Sequence, residues 1–74
     1  MSDKAQKLLM DLYRHPSADE SVEYLYSSNA LEKSEEIRAF QELQDLGYVT
    51  RNGAAIGFII VSITPAGKLA AERF

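Results

Sequence analysis

The fold of this chain is decided by residues 34–49, which read SEEIRAFQELQDLGYV. Apolar residues recur in this stretch every three or four positions, which predicts an amphipathic helix from about Ser34 to Leu46. Ser34 is a good N-cap, and Gly47 stands where many helices end in the left-handed conformation. The apolar face of this helix would hold Ala39, Phe40, Leu43 and Leu46.

Two further helices are predicted before this one. The first runs from Ser2 to about Arg14 and stops before Pro16, because a residue that precedes proline avoids the helical conformation. The second begins at Ser17, which has capping-box spacing to Glu20. Its apolar stripe would comprise Ala18, Val22, Leu25 and Tyr26. A short turn that contains Leu31 separates the second helix from the third, and this order is a helix-turn-helix pattern.

β-structure is predicted after the third helix. Tyr48–Arg51 and Phe58–Thr64 are rich in β-branched and aromatic residues. Asn52-Gly53 and Gly57 supply turn chemistry between them, in a loop somewhat longer than a two-residue hairpin. Pro65 then opens a short last helix, with Thr64 as its N-cap. All elements are expected to share one core, made of Leu8, Leu12, Val22, Leu25, Leu31, Phe40, Leu43, Ile59, Val61 and Ile63.

The composition limits the classes of function. The chain has 74 residues, one histidine and no cysteine, with 8 basic and 11 acidic side chains and a formal net charge of −3. This length predicts a single domain, residues 1–74. Thiol catalysis and multi-histidine metal sites are excluded, and no phosphate-loop or nucleophile motif is present. We therefore expect no enzyme, no cofactor and no metal. The lack of a long apolar run predicts a cytoplasmic protein without a membrane span.

Two strings resemble the winged variant of the helix-turn-helix superfamily. The first is residues 37–49, IRAFQELQDLGYV, similar to the stretch that leads from the recognition helix into the wing. The second is residues 63–68, ITPAGK, similar to the Leu-Thr-x-x-Gly string that leaves the wing in MarR-like and PadR-like bacterial regulators. The resemblance covers about residues 18–70. It implies an α+β fold, a winged helix-turn-helix of three helices, a two-stranded β-hairpin wing and a short C-terminal helix.

The resemblance also implies a small DNA-binding protein, a transcriptional regulator whose third helix enters the major groove of double-stranded DNA. Arginine can bridge guanine O6 and N7, and glutamine can pair with adenine N6 and N7, so polar residues on the exposed face of this helix would read base edges. Basic and polar residues at the helix start and in the wing would contact phosphates. These positions are Ser34, Arg38 and Gln41 for bases and Lys33, Thr50, Arg51 and Asn52 for phosphates.

A second hypothesis is a winged-helix protein–protein interaction module that does not bind DNA. It is favoured by Glu42 and Asp45 on the recognition face, and by a wing loop, residues 53–57, without lysine or arginine. Alternation along the last strand turns Phe58 and Ile60 away from the helices. A two-stranded wing has little with which to cover these two side chains, and exposed apolar patches usually mark an interface, such as that of a homodimer. Both hypotheses remain open from the sequence.

Overall fold

The computed structural model describes residues 1–17 and 19–74, and its architecture is α+β. Three strands form one antiparallel sheet in the order β1-β3-β2. The elements in chain order are α1 (Asp3–Arg14), β1 (Val22–Leu25), α2 (Ala30–Asp45), β2 (Val49–Ala55), β3 (Phe58–Ile63) and α3 (Pro65–Glu72). The predicted class is therefore confirmed. The predicted winged helix-turn-helix is wrong, because one strand stands between the first two helices of the described residues and a three-stranded sheet replaces the two-stranded wing.

The predicted second helix is a turn followed by strand β1. Its residues Val22-Glu23-Tyr24-Leu25 alternate between half-buried and exposed, which is the period of a strand with one covered face. The strand is held by pairing with β3, where Val22 lies opposite Val61. The predicted capping box is instead a turn in which the Glu20 N–H donates to the Ser17 carbonyl at 3.0 Å. Ala18, assigned to the apolar stripe of that helix, lies outside the described residues.

Helix α2 begins four residues earlier than the sequence predicts. The Asn29 side chain caps it by accepting the Glu32 N–H at 3.1 Å, so Ser34 lies inside the helix and not at its start. Leu31 thereby falls in the first turn of α2, where it is 79% exposed and fills no angle between helices. Gly47 follows the helix at φ 77°, the left-handed conformation predicted for it.

The connection between β2 and β3 is shorter than predicted and comprises only the end of the predicted loop. Strand β2 continues through Asn52 and Gly53, and the reversal occurs at Ile56 and Gly57. The register shifts between Arg51 and Gly53, so that Asn52 is the extra residue of a β-bulge. Arg51 and Asn52 therefore lie within an edge strand and not at the tip of a wing.

One core lies between the three helices and the inner face of the sheet. Of the predicted core, seven residues are buried: Leu8, Leu12, Phe40, Leu43, Ile59, Val61 and Ile63. Val22 is half-buried and packs against them. Leu25 and Leu31 were assigned wrongly, since they are 68% and 79% exposed. The core also contains Ala5, Leu9, Ala39, Val49 and Ala71.

The first and last helices begin as the sequence predicts. The Ser2 hydroxyl accepts the Ala5 N–H at 3.1 Å at the start of α1. The Thr64 hydroxyl accepts the Gly67 N–H at 3.0 Å, and Pro65 occupies the first turn of α3. None of the helices in the described part of the chain is both long enough and apolar enough to cross a membrane.

Candidate functional site

The DNA-contact positions predicted on α2 do not form one basic surface. Lys33 is half-buried and donates to the Ile56 carbonyl at 2.8 Å, which ties α2 to the β2–β3 turn. Arg38 is five residues further on, so the two cationic side chains lie about 140° apart around the helix axis. Ser34 and Gln41 are exposed between these flanks, but the Gln41 amide donates to Asp45 at 2.9 Å.

The predicted phosphate contacts on β2 are also separated from one another. Thr50 lies opposite Ser62 on the sheet face that points away from the helices. Arg51 is exposed and lies opposite the buried Val61, on the helix side of the sheet. The Asn52 amide donates to the Ser62 hydroxyl at 3.2 Å and to that of Ser21, so it holds the bulge to the neighbouring strand.

The charge on α2 is predominantly negative. The helix carries five carboxylates against the basic pair Lys33 and Arg38. Arg38 borders a shallow hollow that is also lined by Glu35 and Glu42. Glu42 also accepts the Ser2 N–H at 3.0 Å, so its carboxylate holds the chain start against α2. The carboxylates of α2 outnumber its two cations, which disfavours the approach of a DNA phosphate.

The predicted partner-contact residues are half-buried and lie on the face of the sheet that points away from the helices. Burial along β3 alternates strictly, so Ile59, Val61 and Ile63 point inward and Phe58 and Ile60 outward, as the sequence predicts. Neither outward residue belongs to the core or packs against it. We call this surface the outer face. By register it comprises Glu23, Leu25, Thr50, Gly53, Ala55, Phe58, Ile60 and Ser62.

The outer face has an apolar end and a polar end. At the apolar end Leu25, Phe58 and Ala55 form a row across the three strands, and Ile56 in the adjacent turn is 89% exposed. At the polar end the Asn52 amide bridges hydroxyl groups of β3 and the segment before β1. Glu23 carries the one charged side chain of the eight that define the face.

Shape also varies across the outer face. Phe58 and Ile60 form a ridge along the central strand β3. Gly53 and Ala55, their partners on β2, are small and leave a trough beside that ridge. Gly53 is not required by its own surroundings, because an added Cβ would meet Ile60 at 3.6 Å, an ordinary contact. The Ile60 side chain therefore borders the trough on the side of the ridge.

Helix α2 carries a buried carboxylate on its inner face, in the N-terminal half of the helix. Glu36 is 2% exposed, and its oxygens accept hydrogen bonds from the Tyr24 hydroxyl and from the Ser27 N–H at 2.8 Å. The Tyr24 ring packs edge-on against Phe40 at 5.0 Å. Burial of the Tyr24 hydroxyl, followed by its hydrogen bond to Glu36, raises the pKa of this tyrosine above 10.0. Through these two bonds Glu36 fastens β1 and the following loop to α2.

Loss of the Tyr24 hydroxyl should destabilise the protein and change its response to alkali. Tyr24→Phe leaves a buried carboxylate with one fewer donor, which should cost about 1–3 kcal/mol at neutral pH. Because the folded state raises the pKa of Tyr24, the wild type should keep this contribution below pH 10.0 and lose it as the pH rises further. Urea unfolding measured at neutral and alkaline pH should show that the free energy of unfolding falls less with alkali in the variant than in the wild type. Equal stability and equal alkaline loss would contradict this assignment.

Comparison of the chain with models of known protein families, with curated protein sequences and with solved structures gives no match. The resemblance to MarR-like and PadR-like regulators therefore rests on its two sequence strings alone. DNA binding stays a prediction, and the geometry of the described residues supplies no basic surface for it.

Proposed function

We propose that this domain is a protein-interaction module that self-associates through its outer face. The main support is the apolar row formed by Leu25, Phe58 and Ala55 on the sheet face that points away from the described helices. In this row Leu25 is 68% exposed and Phe58 is half-buried. Contiguous apolar surface of this kind, bordered by polar groups, is typical of contact sites between proteins. A charge of −3 and a predominantly acidic α2 favour a protein partner over nucleic acid.

The shape of the outer face favours a second copy of this chain as the partner. A two-fold axis parallel to the strands and between β2 and β3 would lay β3 of each copy over β2 of the other. Phe58 and Ile60 of one copy would then enter the trough above Gly53 and Ala55 of its partner. The same contact would form twice, as an isologous interface requires.

The position of the charge is consistent with this arrangement. Glu23 lies on β1, the edge strand on the far side of β3 from the trough. The proposed overlap involves β2 and β3, so Glu23 and Leu25 of both copies would lie at its rim, with the Glu23 carboxylates in water. A two-fold axis parallel to the strands leaves the strand direction unchanged. The apolar end of one outer face would therefore contact the apolar end of the other. No charged group would have to be desolvated in the centre of the contact.

Removing the ridge should abolish self-association without unfolding the domain. Threonine keeps the β-branching that suits a strand, so Phe58→Thr with Ile60→Thr should fold while losing most of the apolar contact. Sedimentation velocity from low micromolar to about 1 mM should show a dimer for the wild type and at least about tenfold weaker association for the variant. Leu69→Thr, a change at a 58% exposed leucine of α3, is the matched control and should associate normally.

Filling the trough is a second and independent test. Gly53→Val adds apolar surface and should not destabilise the strand, because Gly53 has no positive φ and room for a Cβ. Its side chain would occupy the space into which the partner's ridge fits, so the dimer should weaken although the face becomes more hydrophobic. A monomeric wild type, or a Gly53→Val variant that associates as well as the wild type, would overturn the proposed geometry.

Nucleic-acid binding provides the opposing outcome. The wild type should show no association with random duplex DNA at about 50 mM salt, where phosphate contacts are strongest. Fluorescence anisotropy with labelled duplexes measures this directly. Tight duplex binding that Arg38→Ala and Arg51→Ala both weaken would replace the protein-interaction proposal with the DNA-binding hypothesis.

A further inference from the structure

A cleft opens between α1 and the edge strand β1, on the opposite side of the sheet from the outer face. Its volume is about 190 Å³. A cavity of about 150 Å³ lined by aliphatic and aromatic side chains accommodates benzene, so this space suits one large apolar side chain. The apolar part of its lining is formed by Leu8, Leu12, Val22, Tyr24, Phe40 and Val61.

The strand beside this cleft has a free edge. The Tyr26 N–H donates to the Gly57 carbonyl at 3.0 Å, so Tyr26 and, two residues earlier, Tyr24 direct their backbone groups toward β3. Glu23 and Leu25 therefore direct theirs to the other side. Within residues 1–17 and 19–74 no backbone group pairs with them there. Glu23 also borders the cleft, so open hydrogen-bonding groups and an apolar cavity lie side by side.

The rim of the cleft carries a negative charge. Asp11, exposed on α1, borders the opening together with His15. The Nδ1 atom of His15 accepts the Ser17 N–H at 3.1 Å, so a neutral ring carries its hydrogen on Nε2 and offers a donor. Asp11 therefore supplies the negative charge on the α1 side of the cleft. A basic side chain is its complement.

We propose that the cleft binds an extended segment of a partner protein by strand addition to β1. The backbone of the segment would bond to Glu23 and Leu25, one large apolar side chain would enter the cleft, and a basic side chain would pair with Asp11. Side chains two residues apart point to the same face of a strand, so the basic residue stands two positions from the apolar one. Strand addition derives its affinity from main-chain bonds and its specificity from such pockets. This site uses the backbone edge of β1, whereas the proposed dimer contact uses side chains of β2 and β3.

A designed peptide tests the proposal on the full chain. The probe is a blocked peptide about seven residues long, an ordinary strand length, with a central phenylalanine, an arginine two positions later and threonine elsewhere. Nuclear magnetic resonance titration should shift the amide signals of Glu23 and Leu25 and protect both from exchange. Replacing the phenylalanine of the peptide with alanine should weaken binding at least about tenfold. N-methylation of the peptide at alternate amides should abolish it.

Variants of the protein separate this site from other surfaces. Val22→Trp fills the cleft and should abolish peptide binding in a folded protein. Asp11→Lys should weaken binding of the arginine peptide about fivefold and favour a glutamate peptide instead. Glu35→Lys, the same charge change away from the cleft, should do neither.

The dimer variant distinguishes this site from the outer-face contact. Phe58→Thr with Ile60→Thr should bind the peptide as the wild type does, so failure of the dimer leaves this site unaffected. Absence of shifts at β1 up to about 1 mM peptide, or binding that survives Val22→Trp, would overturn it.

Discussion

Replacing Leu43 with alanine should lower the melting temperature by roughly 10–30 °C, because removing a fully buried leucine side chain costs about 2–5 kcal/mol. Leu43 is 0% exposed at the centre of the face that α2 turns toward the sheet. A domain of 74 residues has a total stability of roughly 4–11 kcal/mol, so this one change removes a large share of it. Thermal unfolding followed by circular dichroism measures the effect.

Leu31→Ala is the matched control for that experiment. It deletes the same atoms from the same helix, but Leu31 is 79% exposed and contributes little burial. Alanine also has the higher helix propensity, so the control should change stability by less than about 0.5 kcal/mol. Equal losses in the two variants would show that the burial pattern of α2 is assigned wrongly.

Strand β1 shows why part of the fold could not be predicted from local pattern. The segment SVEYLY, residues 21–26, fits a helical stripe at Val22, Leu25 and Tyr26 and also fits alternation at Val22, Tyr24 and Tyr26. What decides between these periods is pairing with β3, more than thirty residues later in the chain. Local propensity contains no information on that partner, and tertiary contacts override it. The helix-turn-helix prediction failed for this reason.

The prediction that the turn after β2 starts at Asn52 was wrong for a related reason. An Asn-Gly pair is a strong signal for a hairpin turn, and residues 52–53 carry it. In the folded chain Asn52 is instead the extra residue of a bulge, because its amide bonds to hydroxyl groups of Ser62 and Ser21. Those partners come from β3 and from the segment before β1. The prediction that Arg51 and Asn52 contact phosphates from the wing depended on that turn. Both residues lie in strand β2 instead.

Of the candidate sites, the outer face was accessible to sequence reasoning and the buried carboxylate was missed. Alternation along β3 depends only on the strand period, so the outward direction of Phe58 and Ile60 could be predicted. Glu36 left a usable signal, since it precedes Phe40 and Leu43 by four and seven residues and shares their face of the helix. Its hydroxyl partner Tyr24 was assigned to a helix, so the pair could not be recognised.

Gly67→Ala should destabilise the protein by about 3 kcal/mol, although alanine normally stabilises a helix relative to glycine. Gly67 lies in the first turns of α3, where a Cβ would overlap the Tyr48 carbonyl oxygen and stand 2.9 Å from the Ile63 side chain. The obstacle is backbone, so it cannot rotate away. The same carbonyl accepts the Thr64 N–H at 3.0 Å, and moving it would also weaken the start of α3.

The comparison with Gly57→Ala isolates that steric cause. An added Cβ at Gly57 meets nothing within 4 Å, and its φ is not positive, so this change should be neutral or stabilise by up to about 1 kcal/mol through the unfolded chain. If the close approach of α3 to Tyr48 is the reason for Gly67, urea unfolding should show a lower free energy of unfolding for Gly67→Ala and an equal or higher one for Gly57→Ala. A Gly67→Ala protein as stable as the wild type would mean that α3 does not pack as described. The ITPAGK string would then have no structural reason for its glycine.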